Sequence, residues 1–296
     1  MKISELLQQL PETDRELLAK LPPPETPEEQ KRRRQQQLPE SWGNASKFTG
    51  PDPGLARKLA AEVFAGGRKG ILELIALLDN PADYKPEYLL HCMTVFANDR
   101  QQKLLARTIA SQLDNSKARA VLLRELQWIG SDDVVKALGK YLADEKLCAD
   151  AAAVLSAIGG SASVSEFRKA FPKSSGKCRT ILAQNLGALR DAKSADLLRQ
   201  CFQDPDVDLR LIAAWALARI GDAPSIDTLI KFADASQGYT RVKATNAVLL
   251  LAEALATQSR KSDAARIYTH IRNTRTDPKE KYLRDTAEKH LTVFML

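Results

Sequence analysis

The chain has 296 residues, 44% of them hydrophobic and 27% charged, the balance of an ordered protein built as two domains or one long architecture. No apolar run approaches the roughly 20 residues that cross a bilayer. Fourteen Gly, 14 Pro and four Cys exclude collagenous and disulfide-rich classes, and three His with four Cys leave little catalytic material. The net charge of +7 lies beyond residues 1–53, which hold 8 basic and 9 acidic side chains; the rest presents a surface that attracts acidic partners or is simply solvated.

The N-terminal MKISELLQQLPETDRELL is broken by Glu, Gln, Asp and Arg. It lacks the uninterrupted apolar stretch of a secretory signal, which predicts a cytoplasmic protein without membrane contact. Ile3, Leu6, Leu7 and Leu10 predict one short amphipathic helix, and Leu17, Leu18 and Leu21 a second. Eight of the 14 prolines fall in residues 1–53. Proline blocks helix propagation, so the stretch PPPETPEEQKRRRQQQLPESWGNASKFTGPDP reads as a linker or extended arm. Its basic run Lys31–Arg34 follows Glu25, Glu28 and Glu29; it is a phosphate-binding arm or a solvated tether.

From residue 54 onward apolar residues recur at helical spacing in segments of about 12, with no β-branched alternation, so no sheet is expected. Two hairpins come first, LARKLAAEVFAGGRKGILELIALLDN and PEYLLHCMTVFANDRQQKLLARTIASQL. Four stretches then align: LLRELQWIGSDD, AAAVLSAIGGSA, LAQNLGALRDAK and AAWALARIGDAP. Each carries an apolar anchor before a turn, at Ile129, Ile158, Leu189 and Ile220. Three before the anchors stand Leu126, Leu155, Leu186 and Leu217; seven before, Leu122, Ala151, Leu182 and Ala213. Six after come Val135, Val164, Ala195 and Ile226; nine after, Leu138, Phe167, Leu198 and Leu229; thirteen after, Leu142, Phe171, Phe202 and Ala233. These offsets share one face of each helix. Asp191, Asp222, Ser131 and Ser161 stand where the second helix needs an N-cap acceptor. Residues 238–296 read as longer closing helices that form an atypical cap, slightly similar to a tetratricopeptide hairpin through Ala264, Tyr268 and Ala287.

Each unit is a helical hairpin that buries its apolar faces only by stacking on its neighbours. AAWALARIGD and DTLIKFAD carry a resemblance to HEAT repeats, especially the short bacterial HEAT-like type also seen in phycobiliprotein lyases; it is best over 116–234. The resemblance implies an all-α, right-handed α-solenoid (an armadillo-type fold) of about six to eight hairpins over 54–296, behind the arm of 1–53. It also implies that the second helices line the concave surface. Two enzymatic branches of HEAT-like proteins are tested directly. The di-iron site of deoxyhypusine hydroxylase needs paired His-Glu motifs, whereas these histidines precede Cys92, Ile271 and Leu291. No residue set around Trp42, Trp128 and Trp215 matches the alkylpurine DNA glycosylases. No Gly-rich phosphate loop is present. Cys92, Cys148, Cys178 and Cys201 form no C-x-x-C pair and read as small buried hydrophobes in a reducing compartment.

One column has functional content. Eleven after the anchors stand Lys140, Lys169, Gln200 and Lys231, with Arg168 and Arg199 at offset ten; Phe96 as an upstream anchor adds Arg107. Offset eleven lies opposite the core stripe, so these cations would form a ladder at roughly 10 Å intervals on the concave wall. No aromatics interleave with them, which favours protein over single-stranded nucleic acid. Trp215, five before its anchor, also faces away from the core; it is an exposed aromatic or packs on the longer C-terminal helices. The expectation is a non-enzymatic scaffold or adaptor, with no metal and no cofactor, that binds an acidic protein surface or peptide on the ladder. A nucleic-acid-binding solenoid and a lyase-like accessory subunit are the alternatives. Oligomeric state stays open.

Overall fold

The computed structural model describes residues 2–10, 53–80 and 84–295. The second N-terminal helix, the basic run Lys31–Arg34 and Trp42 lie outside the described residues. Among those described the chain is all-α, with no strand, and falls into two compact units, 1–129 and 130–296. The division falls in the turn of the first aligned repeat. No helix among the described residues is long and apolar enough to cross a membrane.

Among its described residues the first unit has α1 (Ile3–Leu7), α2 (Pro53–Ala65), α3 (Gly67–Leu77), α4 (Lys85–Phe96), α5 (Asp99–Gln112) and α6 (Arg119–Ile129). The predicted first helix forms, and Ile3, Leu6, Leu7 and Leu10 are all buried as α1 packs on α2, α3 and α4. α2 with α3 and α4 with α5 are the two upstream hairpins. The entry to α5 is a reciprocal cap: Asn98 Oδ1 accepts from Gln101 N–H, and Gln101 Oε1 accepts from Asn98 N–H, both at 3.0 Å.

The second unit continues with α7 (Asp132–Leu138), α8 (Cys148–Ile158), α9 (Gly160–Ala170), α10 (Gly176–Ala188), α11 (Ala195–Gln200), α12 (Val207–Ile220), α13 (Ile226–Ala235), α14 (Gly238–Thr257), α15 (Lys261–Thr274) and α16 (Lys281–Met295). First helices stack in order, α8 on α10, α10 on α12, α12 on α14; α15 then packs between α14 and α16. The leucine column Leu126, Leu155, Leu186 and Leu217 is fully buried, as are Leu138, Phe167 and Leu198. The anchors behave differently. Ile129 is buried, but Ile158, Leu189 and Ile220 are only half-buried. Leu123, Ala152, Ala183 and Ala214 complete the buried seam instead. Gly187 sets the spacing of α10 against α12: a Cβ there would lie 2.5 Å from the Cα of Ala216 and 3.0 Å from the Trp215 ring.

The turn residues correct the capping expectation. Neither Asp191 nor Asp222 accepts a backbone bond as a helix cap. Each carboxylate instead accepts from the hydroxyl three residues on, Ser194 or Ser225, and forms an ion pair with an arginine of the preceding repeat, Arg168 or Arg199. Ser161 lies inside α9 rather than before it, and Ser131 makes no side-chain cap bond. Ser163, Ser194 and Ser225 form a fully buried column five after the anchors. In the Ser163 repeat Gly160 replaces the aspartate, and the buried Ser163 hydroxyl has no partner among the described residues. Leaving a buried polar group unpaired costs about 1–3 kcal/mol. Ser225→Ala is therefore expected to lower stability by about 1–2 kcal/mol, and Ser163→Ala to be neutral or stabilising; the midpoints of urea unfolding measure both. Equal losses would remove the distinction.

The cysteines also depart from expectation. Cys92 and Cys201 are buried free thiols, but Cys148 and Cys178 are joined in a disulfide, with a Cα–Cα distance of 5.8 Å. The bond ties the first turn of α8 to the first turn of α10. At the C-terminal end Arg275 is buried, its Nη1 donating to Asp234 Oδ1 at 2.6 Å and to Thr274 Oγ1 at 3.0 Å. Arg241 Nε donates to Glu280 Oε1 at 2.6 Å, and this bond holds the Glu280 carboxyl below its ordinary range. Tyr268 stacks on His290 at 4.7 Å, and burial pushes its phenol up to about 12.

Candidate functional site

The cations singled out by the sequence have unlike surroundings. Arg107 is exposed on α5 of the first unit, and the other five belong to the second. Lys140 is exposed, its ammonium 5.1 Å from the Tyr141 ring centroid. It stands in a 3-10 turn (Gly139–Ala143), because α7 ends at Leu138. Lys169 is 66% exposed and pairs with Glu166 at 2.7 Å. Arg168 is only 28% exposed, with its Nε 3.3 Å from Asp191. Arg199, 30% exposed, is held by Asp222 and Asp196; the Asp222 bond raises its pKa, against the opposing effect of burial. Lys231 is exposed on α13 and forms no ion pair among the described residues. At offset ten, Arg168 and Arg199 therefore tie one repeat to the turn of the next.

A broad concavity lies on the first helices. A groove of about 800 Å³ runs over α10, α12 and α14. α10 contributes Thr180 and Gln184, spaced i, i+4; α12 contributes Asp208, Leu211, Ile212 and Trp215, on one face at i, i+3, i+4, i+7. From α14 come Tyr239, Lys243, Asn246, Leu249, Leu250 and Glu253, with Ala247 at the floor. Leu211, Ile212, Trp215, Leu249 and Leu250 are half-buried, whereas Tyr239 is 70% exposed. The Lys243 ammonium lies 5.4 Å from the Tyr239 ring centroid, and the Arg219 guanidinium 5.8 Å from that of Trp215. Trp215 thus combines both sequence readings: it packs beside the long helix α14 and remains open to a groove.

Residues 164–249 match the family model of HEAT repeats. They include all of α10 and α12 and the N-terminal part of α14, so every groove residue except Leu250 and Glu253 falls within the match. Among solved structures, the chain is similar to the complex of CpcE and CpcF of phycocyanin lyase from Nostoc sp. PCC7120. The identity is 16%, the alignment covers 90% of this chain and 98% of that chain, and the TM-score is 0.34. No curated protein matches the chain.

A second concavity, of about 390 Å³, lies in the first unit between α4 and α6, lined by Tyr84, Glu87, Tyr88, His91, Arg124 and Glu125. Glu125 is 1% exposed, with its Oε2 3.0 Å from His91 Nδ1; Arg124 pairs with Glu87. Trp128, 71% exposed, stands edge-on to His91 at 6.3 Å. Burial raises the neighbouring Cys92 thiol, against a hydrogen bond from Tyr88. His91, Arg124, Gln184 and Trp215 all stand five before their anchors. The concavities of both units therefore use one register on the first helices. The sequence reading examined that register only at Trp215.

Its signal was present. A helix that carries apolar residues all round needs cover on more than one face. VDLRLIAAWALARI in α12 buries Leu209, Ala213, Ala214, Ala216 and Leu217, which leaves Leu211, Ile212 and Trp215 as surplus. AVLLLAEALA in α14 buries Val248, Leu251, Ala252 and Leu255, which leaves Leu249 and Leu250.

Proposed function

We propose that this chain is a non-catalytic scaffold that captures a partner protein in the groove across the first helices of its HEAT repeats. The observation that carries this reading is the clustering of Leu211, Ile212, Trp215, Leu249 and Leu250 beside exposed Tyr239 in one concavity. Scattered surface leucines are normal; a contiguous concave patch with a polar rim is the anatomy of a docking site. Trp and Tyr are the residues that dominate such interfaces, because each buries a large area at small entropic cost. The basic column is the weaker surface. Arg168 and Arg199 already serve turn aspartates, and the groove itself carries Asp208 and Glu253, which repel a phosphate backbone. A protein partner fits better than nucleic acid.

The test uses the full chain as bait in a nuclease-treated native lysate, against two folded variants. Trp215→Ala with Leu250→Ala removes the groove's apolar centre; Lys140→Glu with Lys169→Glu and Lys231→Glu reverses the column. Hot-spot truncation typically costs at least about 2 kcal/mol, roughly a 30-fold loss of affinity. The groove variant is expected to lose the captured protein and the charge variant to retain it. The opposite pattern would assign docking to the basic column and end the groove reading. Loss of everything on nuclease treatment would assign it to nucleic acid.

A further inference from the structure

We infer that the occupant of the groove over α10, α12 and α14 is an amphipathic α-helix with an apolar stripe flanked by basic side chains. The inference rests on the scaffold reading and adds the partner's conformation and charge. Conformation follows from the backbone. The groove is built from helices whose main-chain groups are bonded within themselves, so it offers no sheet edge to an extended peptide. A helix laid on the apolar side chains there keeps its N–H and C=O groups bonded within itself, so its main chain asks nothing of the groove. Size agrees. On α14 the lining residues run from Tyr239 to Glu253, about 21 Å at 1.5 Å per residue, or about four helical turns. Neighbouring helix axes stand about 8–10 Å apart, so the span from α10 to α14 admits a helix about 10–12 Å across, side chains included.

Charge supplies the flanks. Asp208 in the first turn of α12 and Glu253 near the C-terminal end of α14 line the groove, are exposed, and form no ion pair among the described residues. Asp191, Asp222, Asp227 and Glu280 of the same unit each meet an arginine, whereas Asp208 and Glu253 keep their charge open to a partner. The groove's own cation, Lys243, lies over the Tyr239 ring. Two unpaired carboxylates beside an apolar floor complement a helix with Lys or Arg on both sides of its leucine stripe.

The experiment titrates the full chain by calorimetry with four capped 18-residue peptides. The first is an Ala-rich helix with Leu at i, i+3, i+4, i+7 repeats flanked by Lys; the second replaces Lys with Glu. The third scrambles the Leu positions, and the fourth carries two central prolines. Binding of the first peptide, with each of the others weaker by about tenfold or more, is expected. The Asp208→Asn with Glu253→Gln variant is expected to bind the Lys and Glu peptides within about twofold of each other. Equal or tighter binding of the Glu peptide to the unaltered chain would overturn the charge assignment, and equal binding of the proline peptide would overturn the helix. If the bait assay depends on Trp215 and Leu250 while no helical peptide binds, the scaffold reading stands and this inference falls. If the Lys peptide binds as expected while lysate capture is indifferent to the groove, the scaffold reading falls instead.

Discussion

Asp234→Ala is expected to destabilise the second unit by about 3 kcal/mol, because it strands a buried guanidinium. Arg275 is 1% exposed and sits among the cap helices, with Asp234 Oδ1 at 2.6 Å, Thr274 Oγ1 at 3.0 Å and Thr245 Oγ1 at 3.4 Å. Its Nε has no partner among the described residues, so Asp234 supplies the charge that makes burial tolerable. Breaking such a pair from one side costs about 3–5 kcal/mol; the low end applies, since Asp234 is itself 37% exposed. Asp234 also accepts from His270, with Oδ2 2.9 Å from Nε2, so one carboxylate spans α13 and α15. Hydrogen exchange should show the loss first in α13, α14 and α15, before global unfolding. Replacing both members, Asp234→Ala with Arg275→Met, is expected to recover most of the loss, because no buried charge then remains. If the single variant unfolds at the same urea concentration as the parent, the pair contributes nothing.

The helical repeats are legible because burial in a stacked hairpin imposes one strict demand, an apolar residue at fixed offsets. Leu126, Leu155, Leu186 and Leu217 meet it at intervals near 30 and are fully buried. Polar positions obey a different rule, one that joins neighbouring repeats rather than residues of a single helix. Arg168 meets Asp191 and Arg199 meets Asp222, each 23 residues on. A helical projection of one hairpin shows both arginines as outward cations; only the next repeat's turn shows what they contact. The same limit hides Arg275, whose partner lies 41 residues earlier. The groove belongs to a third kind of feature, a surplus. Leu211, Ile212, Leu249 and Leu250 fit a helical apolar pattern equally well as core, and only the structure shows that the core is complete without them.

Loss of the Cys148–Cys178 disulfide is expected to cost about 3–4 kcal/mol, the loop-closure value for a bridge across roughly 30 residues. The separation is 30 residues, about one repeat period, and that is why the pair can form. Cys148 and Cys178 stand ten and eleven residues before the anchors Ile158 and Leu189, in neighbouring registers on the adjacent first helices α8 and α10, and their Cα atoms approach to 5.8 Å. In a solenoid, a cysteine pair at the repeat period is thus a bridging signal in the way a C-x-x-C pair is elsewhere. Disulfides persist where the surroundings are oxidising. Burial raises the pKa of both remaining thiols, Cys92 and Cys201, which keeps them protonated near neutral pH and slow to exchange. The protein as isolated without reductant should therefore titrate two thiols in denaturant and four after reduction. Reduction should lower the urea midpoint of the parent and leave a Cys148→Ala, Cys178→Ala variant unchanged, already shifted by the same amount. Four thiols in the unreduced, denatured protein would mean that α8 and α10 are held by packing alone.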